Sequence, residues 1–287
     1  MAREDRAILV RYGEVWLKSD SVRRQFEQVL AGNMKSLFSA GTRISVVPGR
    51  TWIHAAKAPK ELGHVFGVVS FSPVVVCDKN IEAIKAAARQ ITKVWKSGTF
   101  AIRASRTDKS FPLNSKQLEI AVAELVHLPV DLSDPKHTLS IEIRDRAYLY
   151  DRTVAGPGGM PLGSAGKVAA QLRDADDLMA AWLLMKRGAL TILICGHSAS
   201  GGMLHVNKLH EACFTKPKPA WLKLLQKWSV GRKLKAAKSL KEAIKFGAIA
   251  FVDVRSNKPK ENGLIMLNPL VGFSDDEKAR LLKKIKQ

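Results

Sequence analysis

The first 60 residues alternate short apolar runs with one helical stripe. The apolar run from Ala7 to Tyr12 predicts a strand, and a helix is predicted to begin near Asp20 or Ser21. Two further apolar runs, Ile44 to Val47 and Thr51 to Ala55, flank a Pro-Gly turn and predict a hairpin. This segment is therefore predicted to be a small α+β unit.

Residues 60–160 repeat the pattern on a larger scale. A stripe from Ile81 to Val94 predicts one helix, and Asn114 with Gln117 forms the capping-box pattern of a second helix that Pro129 ends. Strands are predicted at Phe71 to Cys77, at Thr99 to Ala104, and as a pair within Leu139 to Tyr150. The order strand, helix, strand, helix, strand predicts an α/β module built on one sheet.

Gly and Pro residues from Gly156 to Pro161 mark the clearest linker in the chain. Beyond it a strand is predicted at Lys167 to Gln171, a helix around Asp177 to Lys186, and a strand at Leu190 to Cys195. This alternation is typical of a parallel sheet. We therefore predict three domains, at residues 1–58, 59–160 and 165–287.

Composition adds a polyanion partner to this picture. The 287 residues are 46% hydrophobic and 25% charged, which excludes a disordered chain, and they carry a net charge of +21. A surplus of that size points to nucleic acid or an anionic membrane. No apolar stretch approaches the roughly 18 residues of a spanning helix, so we expect no membrane partner and a cytoplasmic location. The pattern of Cys77, Cys195 and Cys213 predicts buried thiols and no metal site.

The surplus charge is concentrated late in the chain. Residues 161–287 carry +13, and Lys216 to Lys245 alone carry +9. A helix is predicted from about Lys233 to Phe246 with four lysines off its apolar face: Lys235, Lys238, Lys241 and Lys245. These lysines either form a solvated face or contact phosphates. Trp221 and Trp228 could stack on bases, but their spacing beside leucines favours a core position.

No segment matches a strong catalytic motif, since the Gly and Lys residues from Gly163 to Lys167 have the wrong spacing for a P-loop. Several segments, in their order along the chain, nevertheless resemble the tRNA 4-thiouridine synthetase (ThiI-type sulfurtransferase) family. They are Arg11-Tyr-Gly-Glu-Val-Trp-Leu-Lys-Ser19, Val65-Phe-Gly-Val-Val-Ser-Phe-Ser-Pro73, Phe100-Ala-Ile-Arg103-Ala-Ser-Arg106 and Gly158-Gly-Met-Pro-Leu-Gly163. The resemblance covers residues 8 to about 195.

This resemblance implies an N-terminal ferredoxin-like domain, a THUMP domain and a C-terminal α/β domain of the PP-loop, adenine nucleotide α-hydrolase-like type. It also implies that the first two domains hold the acceptor stem and 3′ end of tRNA. Guanidinium and ammonium groups suit phosphates, and RNA helices are recognised largely through shape and backbone. The candidate RNA-binding residues in these two domains are Lys18, Arg50, Arg103, Arg106, Lys109 and Lys116.

The chain departs from the family pattern in the third domain. The family's SGGxDS loop aligns with Leu172, Arg173, Asp174, Ala175, Asp176 and Asp177, of which only Asp176 matches. Glycines allow such a loop to close its backbone N–H groups around phosphate, whereas Asp174 and Asp177 add negative charge there. The three aspartates are better interpreted as caps of the following helix. The family's late relay cysteine also has no counterpart after Cys213.

The sequence therefore predicts a tRNA-binding THUMP protein with a degenerate PP-loop domain, in effect a pseudoenzyme that needs no cofactor and serves a modification enzyme supplied as a partner. One alternative is an active ATP-dependent sulfurtransferase that makes 4-thiouridine at position 8, with or without a partner subunit. The other alternative is a general structural RNA-binding protein.

Overall fold

The computed structural model describes residues 5–13, 19–47, 49–194, 202–204, 219–229, 234–255, 260–261 and 264–287. They form two compact units. The first unit comprises Met1–Arg11, Gly41–Ala58 and Ser70–Ala155, and the second comprises Tyr12–Ala40, Pro59–Val69 and Gly156–Gln287. No helix in these ranges is long and apolar enough to cross a membrane. The predicted domain boundaries stay predictions.

Helices and strands alternate along most of the chain. The described helices are α1 Asp20–Lys35, α2 Ile81–Thr92, α3 Ser115–Ala123, α4 Ala175–Lys186, α5 Pro219–Trp228, α6 Leu240–Lys245 and α7 Asp275–Lys286. The strands that form the sheet of the first unit are β1 Asp5–Tyr12, β2 Ile44–Val47, β3 Arg50–Ile53, β4 Val68–Cys77, β5 Phe100–Arg106, β6 His137–Ile143, β7 Ala147–Tyr150 and β8 Val154–Ala155.

The sheet of the first unit follows the order β2-β3-β1-β4-β7-β6-β5, and β8 pairs with β4. β5 and β6 pair in parallel, whereas β2 with β3 and β6 with β7 form the predicted antiparallel pairs. Asn114 and Gln117 form the predicted capping box at the start of α3. That helix ends at Ala123, short of Pro129.

Alternation along the strands gives this sheet two different faces. One face packs against α2 and α3, and its core includes Cys77 and Leu139, with the partly buried Val75 beside them. The opposite face carries a smaller cluster in which Val74 and Val76 pack with Trp52 and Tyr148. We call this second side the sheet face.

The second unit contains a sheet whose middle strands are parallel, as predicted. Its strands are β9 Lys167–Ala170, β10 Leu190–Ile194, β11 Gly202–Leu204, β12 Leu234–Ala237, β13 Ala248–Val252, β14 Lys260–Glu261 and β15 Leu264–Leu267. Their order is β11-β12-β10-β9-β13-β15-β14. At the two edges, β11 pairs antiparallel with β12, and β14 pairs antiparallel with β15. The core of this unit includes Trp182 and Trp228, whose rings meet edge to face with centroids 5.3 Å apart. Trp221 packs against the same core, which confirms a core position for both tryptophans of α5.

The predicted helix from Lys233 to Phe246 is wrong. Its first part is the strand β12, in which Ala236 and Ala237 pair with Leu193 and Ile194 of β10. Ser239 then accepts a hydrogen bond from the Glu242 N–H and caps the short helix α6. Two small residues fit a helix and a buried parallel strand equally well, so the apolar spacing alone did not separate the two structures.

The predicted linker is a packed segment. The N–H groups of Gly156 and Gly158 donate to Val69 O and Val68 O, both at 2.8 Å. Gly159 has a φ of 77°, and a Cβ atom there would lie 2.3 Å from Lys186 O. The segment therefore needs glycine because its backbone approaches the end of α4 closely.

Candidate nucleic-acid interface

Three arginines on the sheet face surround one buried carboxylate. Glu142 on β6 is only 6% exposed. Arg144 Nε, Arg11 Nη2 and Arg50 Nε lie 3.4, 3.5 and 3.8 Å from its oxygens. Alternation brings them together, since Arg11 and Arg50 share the sheet-face side of β1 and β3. The cluster carries a net charge of +2.

Neighbouring groups hold this arginine cluster in place without neutralising it. Tyr150 donates its hydroxyl to Glu142 Oε1 at 3.1 Å, and its ring lies 4.8 Å from the Arg11 guanidinium carbon. Burial, followed by the charge of Glu142, raises the pKa of Tyr150. Arg11 Nη2 and Arg50 Nε are buried and make no hydrogen bond within the described residues. Buried donors in this state favour an added anionic acceptor.

A pocket of about 350 Å³ opens on the same face, and we call it the sheet-face pocket. Trp52 and Tyr148 stack at its wall, with ring centroids 4.0 Å apart and planes inclined by 22°. The basic side chains that line it are Arg43, His54, Arg144 and Arg146.

Hydrogen bonds orient the polar groups of this pocket. Arg43 Nη2 donates to His54 Nε2 at 3.1 Å, and the Tyr148 hydroxyl donates to Asp145 Oδ1 at 3.0 Å. Burial, together with the charge of Asp145, raises the pKa of Tyr148 to about 12. Both rings are largely buried, Trp52 at 6% and Tyr148 at 7% exposed, so they shape the wall of the pocket, whereas its guanidinium groups suit an RNA phosphate.

The residues predicted for RNA binding lie in different settings. Arg50 belongs to the arginine cluster, and Arg103 lies on the sheet-face side of β5, the strand next to Glu142. Arg103 Nη2 donates to Leu132 O at 2.5 Å, and Arg106 Nη1 donates to Phe111 O at 2.9 Å. Both guanidinium groups are thus already hydrogen-bonded to backbone carbonyl groups of neighbouring segments. Lys109 and Lys116 are exposed, and Lys18 lies outside the described residues.

The lysines predicted on one C-terminal helix do not share one. Lys235 lies on β12, where its Nζ is 3.7 Å from the centroid of the Phe246 ring. Lys238 precedes α6, whereas Lys241 and Lys245 lie on it, and all three are exposed. Lys235 therefore has a packing role that the sequence pattern did not indicate.

The segment Leu172–Asp177 joins β9 to α4 and is closed by ion pairs. Arg173 donates to both oxygens of Asp177, at 2.7 and 2.9 Å, and also to Asp253 Oδ1 at 2.8 Å. The hydrogen bonds to Asp177 raise the pKa of Arg173. Burial by itself raises the pKa of Asp253, but the hydrogen bond from Arg173 and the other contacts outweigh it and lower that pKa.

The remaining carboxylates of this segment also have partners. Asp174 is the N-cap of α4 and accepts from the Asp177 N–H at 3.0 Å, which confirms the predicted capping role for this residue. Its other oxygen pairs with Arg255, and Asp176 pairs with Lys278 Nζ at 2.8 Å. The first turn of α4 thus presents paired carboxylates where a phosphate-binding loop presents free N–H groups.

Sequence reasoning missed most of the sheet face, including Arg11, Arg43, Trp52, His54 and Tyr148. Each lies in or beside an alternating strand, which indicates two faces but does not say which side chains become neighbours. The strand order β3-β1-β4-β7 brings them together from distant parts of the sequence.

Comparison with known proteins begins with two family models that match in succession. The ThiI ferredoxin-like domain matches residues 7–72, and the THUMP domain matches residues 78–151. A probable tRNA sulfurtransferase from Mycoplasmopsis synoviae is 40% identical over 190 residues, which cover 63% of this chain and 49% of that protein. One from Methanothermobacter thermautotrophicus is 37% identical over 202 residues, or 65% of this chain and 51% of that protein. The chain spans about half the length of these curated relatives.

Solved structures extend the similarity of fold to almost the whole chain. A 4-thiouridine synthetase in complex with RNA and bound ATP matches with a TM-score of 0.77 at 22% identity, covering 98% of this chain and 85% of that one. A protein from Pyrococcus horikoshii matches with the same TM-score at 26% identity and covers 98% of this chain and 100% of that one.

These matches define a class of protein in which a ferredoxin-like domain and a THUMP domain precede a C-terminal α/β domain. This chain contains the first two of them, a ThiI ferredoxin-like domain at residues 7–72 and a THUMP domain at residues 78–151.

Proposed function

We propose that this chain binds tRNA through the sheet face of its first unit and takes part in tRNA modification without catalysing it. The observation that carries the proposal is the arginine cluster, in which three guanidinium groups share one carboxylate beside a pocket with stacked rings. A surplus of fixed positive charge beside a pocket suits the phosphates of RNA. The names of the relatives and of the solved RNA complex support tRNA as the RNA concerned.

The acceptor stem and 3′ end are the part of tRNA that we propose for this face. The 3′ end is single-stranded, so its bases can leave their stack and enter the sheet-face pocket, whereas paired bases cannot. The arginine cluster would then hold the phosphates of the adjoining strand.

The non-catalytic part of the proposal rests on the loop before α4. A triphosphate at this helix end would have to displace the ion pairs of Asp174, Asp176 and Asp177. It would then face three carboxylates, and like charge at a helix N-terminus disfavours anion binding. We therefore propose a degenerate nucleotide site, no ATP cofactor and a separate enzyme that modifies the bound tRNA in the cytoplasm.

The alternative function is an active ATP-dependent sulfurtransferase that makes 4-thiouridine at position 8. The specific observation that favours it is the fold similarity to a 4-thiouridine synthetase with bound ATP, which covers 98% of this chain. In that case ATP would bind away from the closed turn or with help from a partner subunit.

RNA binding is tested with a tRNA transcript by fluorescence anisotropy over a range of salt concentrations. We expect the double variant Arg43→Gln, Arg144→Gln to weaken binding and to reduce the salt slope by about 2, one unit for each lost phosphate contact. The matched control Arg24→Gln, Lys57→Gln removes two exposed cations outside this face. Equal losses in both double variants, or no binding by the unaltered chain, would contradict the proposed interface.

The non-catalytic role is tested by calorimetric titration with Mg-ATP and by sulfur incorporation into the same transcript. We expect no saturable ATP binding in the micromolar range and no thiolation by the chain alone. A relative that carries the glycine-rich loop serves as the positive control. Extract from cells that lack this protein, with and without added chain, then shows whether it serves an enzyme in trans. ATP-dependent thiolation by the purified chain would establish the alternative.

A further inference from the structure

A second cationic feature of the first unit lies between the C-terminal ends of α2 and α3. It is a groove of about 410 Å³, and we call it the helix-end groove. Its basic lining residues are Arg89, Lys93, Lys96 and His127. The rest of its lining consists of Thr92, Trp95, Leu125, Val126 and Leu128.

The charge of this groove is of one sign. Arg89, Lys93 and Lys96 are exposed, and no carboxylate is among the described residues that line the groove. Within the ranges that the structure describes, none of these three cations forms an ion pair. Their charges are therefore available to an external anion.

Helix stability accounts for only part of this arrangement. Cations near a helix C-terminus interact favourably with the helix dipole, which explains Arg89 in the last turn of α2 and Lys93 at its C-cap. It does not explain Lys96, which lies beyond the helix, or His127, which follows α3. Two separate elements thus bring basic groups to one groove.

The groove and the sheet-face pocket lie at opposite ends of β6. Trp95 stacks on His137, the first residue of β6, with ring centroids 4.9 Å apart. The sheet-face pocket is lined by Arg144 and Arg146, which follow Ile143, the last residue of β6. Seven residues at 3.3 Å each separate the two sites by roughly 20 Å along the strand.

We propose that the helix-end groove binds the phosphodiester backbone of the same RNA, at a distance from the segment held on the sheet face. The proposal rests on the proposed function because both sites serve one RNA. The groove lies on the α2 and α3 side of the sheet, opposite the sheet face, so one RNA must bend around the end of the sheet to contact both sites. Long Lys and Arg side chains adapt to the phosphates of such an RNA.

An acidic protein surface fits the groove less well. Protein interfaces depend on aromatic or aliphatic anchors that enter pockets. Trp95, the one apolar aromatic ring among the lining residues named for the groove, is 9% exposed and already packs against His137 and Phe100. Leu125, Val126 and Leu128 at its floor are half-buried against the core of this unit, whereas the three cations at its rim are exposed.

The test compares two charge-neutralised triple variants of the full chain. The groove variant is Arg89→Gln, Lys93→Gln, Lys96→Gln, and the control is Arg24→Gln, Lys35→Gln, Lys57→Gln, which removes exposed cations outside both sites. With a full tRNA transcript, the groove variant is expected to lower the salt slope by about 3, one unit for each side chain, and the control by much less. Equal slopes for the groove variant and the unaltered chain would overturn this inference alone.

Two further measurements separate this proposal from the proposed function. A four-nucleotide RNA that matches the tRNA 3′ end is too short to reach the groove, so the groove variant should bind it as the unaltered chain does. In hydrogen exchange, the tRNA transcript should protect residues 89–96 and 125–128. Protection of these residues by poly-L-glutamate but not by tRNA would overturn the proposal in favour of an acidic protein. Failure of the unaltered chain to bind any RNA would overturn the proposed function and this inference together.

Discussion

The two units of this protein use their ionic side chains in opposite ways. On the sheet face of the first unit, Arg11, Arg50 and Arg144 share the single carboxylate of Glu142. In the second unit, three cations before and around α4 meet four carboxylates, so that cluster has a net charge of −1; its members are Arg173, Arg255, Lys278, Asp174, Asp176, Asp177 and Asp253. Residues 61–160 carry only +2 and residues 161–287 carry +13. The net charge of a segment therefore does not show how its ionic side chains are paired.

The largest expected effect is on the closed cluster of the second unit. Asp177 is 2% exposed and accepts two hydrogen bonds from the Arg173 guanidinium. Asp177→Asn should lower the free energy of unfolding of this unit by about 3 kcal/mol, because it leaves a half-buried guanidinium poorly paired. Urea denaturation, with hydrogen exchange of α4, measures this change.

Asp176→Asn is the matched control because its ion pair with Lys278 is more exposed, and we expect a change of at most about 1 kcal/mol. If both variants lost the same stability, the ion pairs of Asp177 would have no special structural role, and the contrast between the two units would weaken.

Removing the carboxylate of Glu142 should lower the stability of the first unit and strengthen its RNA binding. Glu142→Gln should lower the stability of this unit by about 1–3 kcal/mol, because buried groups lose a charged acceptor. The same variant should bind the tRNA transcript more tightly, with a salt slope steeper by about 1, because the arginine cluster gains one net positive charge. Urea denaturation and anisotropy measure the two effects. Weaker RNA binding by a folded Glu142→Gln variant would contradict the proposed role of the cluster.

Stability of the second unit should depend on the protonation of His64. Its Nδ1 is buried without a hydrogen-bond partner among the described residues, and its ring meets Trp228 edge to face at 5.0 Å. Burial, together with the nearby Lys227, lowers the pKa of His64. Because the unfolded chain binds this proton more readily, the contribution is complete above about pH 6.5 and is lost as the pH falls towards the lowered pKa.

Urea midpoints measured between pH 5 and pH 8 check this prediction. His64→Gln should flatten the profile of the second unit, whereas His127→Gln, at an exposed position of the first unit, should leave it unchanged. A profile that His64→Gln does not alter would assign the pH dependence to other groups.

The smallest effect is expected at the exposed C-terminal lysines. Lys238, Lys241 and Lys245 are exposed beside or on a helix of six residues. Replacing all three with Gln should change stability by no more than about 0.5 kcal/mol. We expect the salt slope for tRNA to change by less than 1, because these lysines belong to neither the sheet face nor the helix-end groove. A slope lower by about 3 would show that they contact phosphates and would extend the interface into the second unit.

Local sequence patterns predicted most elements but only part of the candidate site. The capping box of Asn114 and Gln117, the hairpin β2-β3 and the parallel strands β9 and β10 follow from spacing within a few residues. Arg50 and Arg103 were predicted from their residue type. Arg144 lies two residues from Glu142, but the full role of Glu142 could not be predicted, because its other partners, Tyr150, Arg50 and Arg11, are 8, 92 and 131 residues away in sequence.

The amino-acid sequence by itself determined the succession of elements, the family of the first two domains and the absence of glycine from residues 172–177 before α4. These features depend on residue identity and short-range spacing. Tertiary structure decided that β12 is a strand, that Lys235 packs on Phe246, and that the arginine cluster keeps a positive surplus while the turn before α4 does not. The physical reason is that a charge is neutralised by its neighbours in space, and strand order, which no local pattern encodes, selects those neighbours.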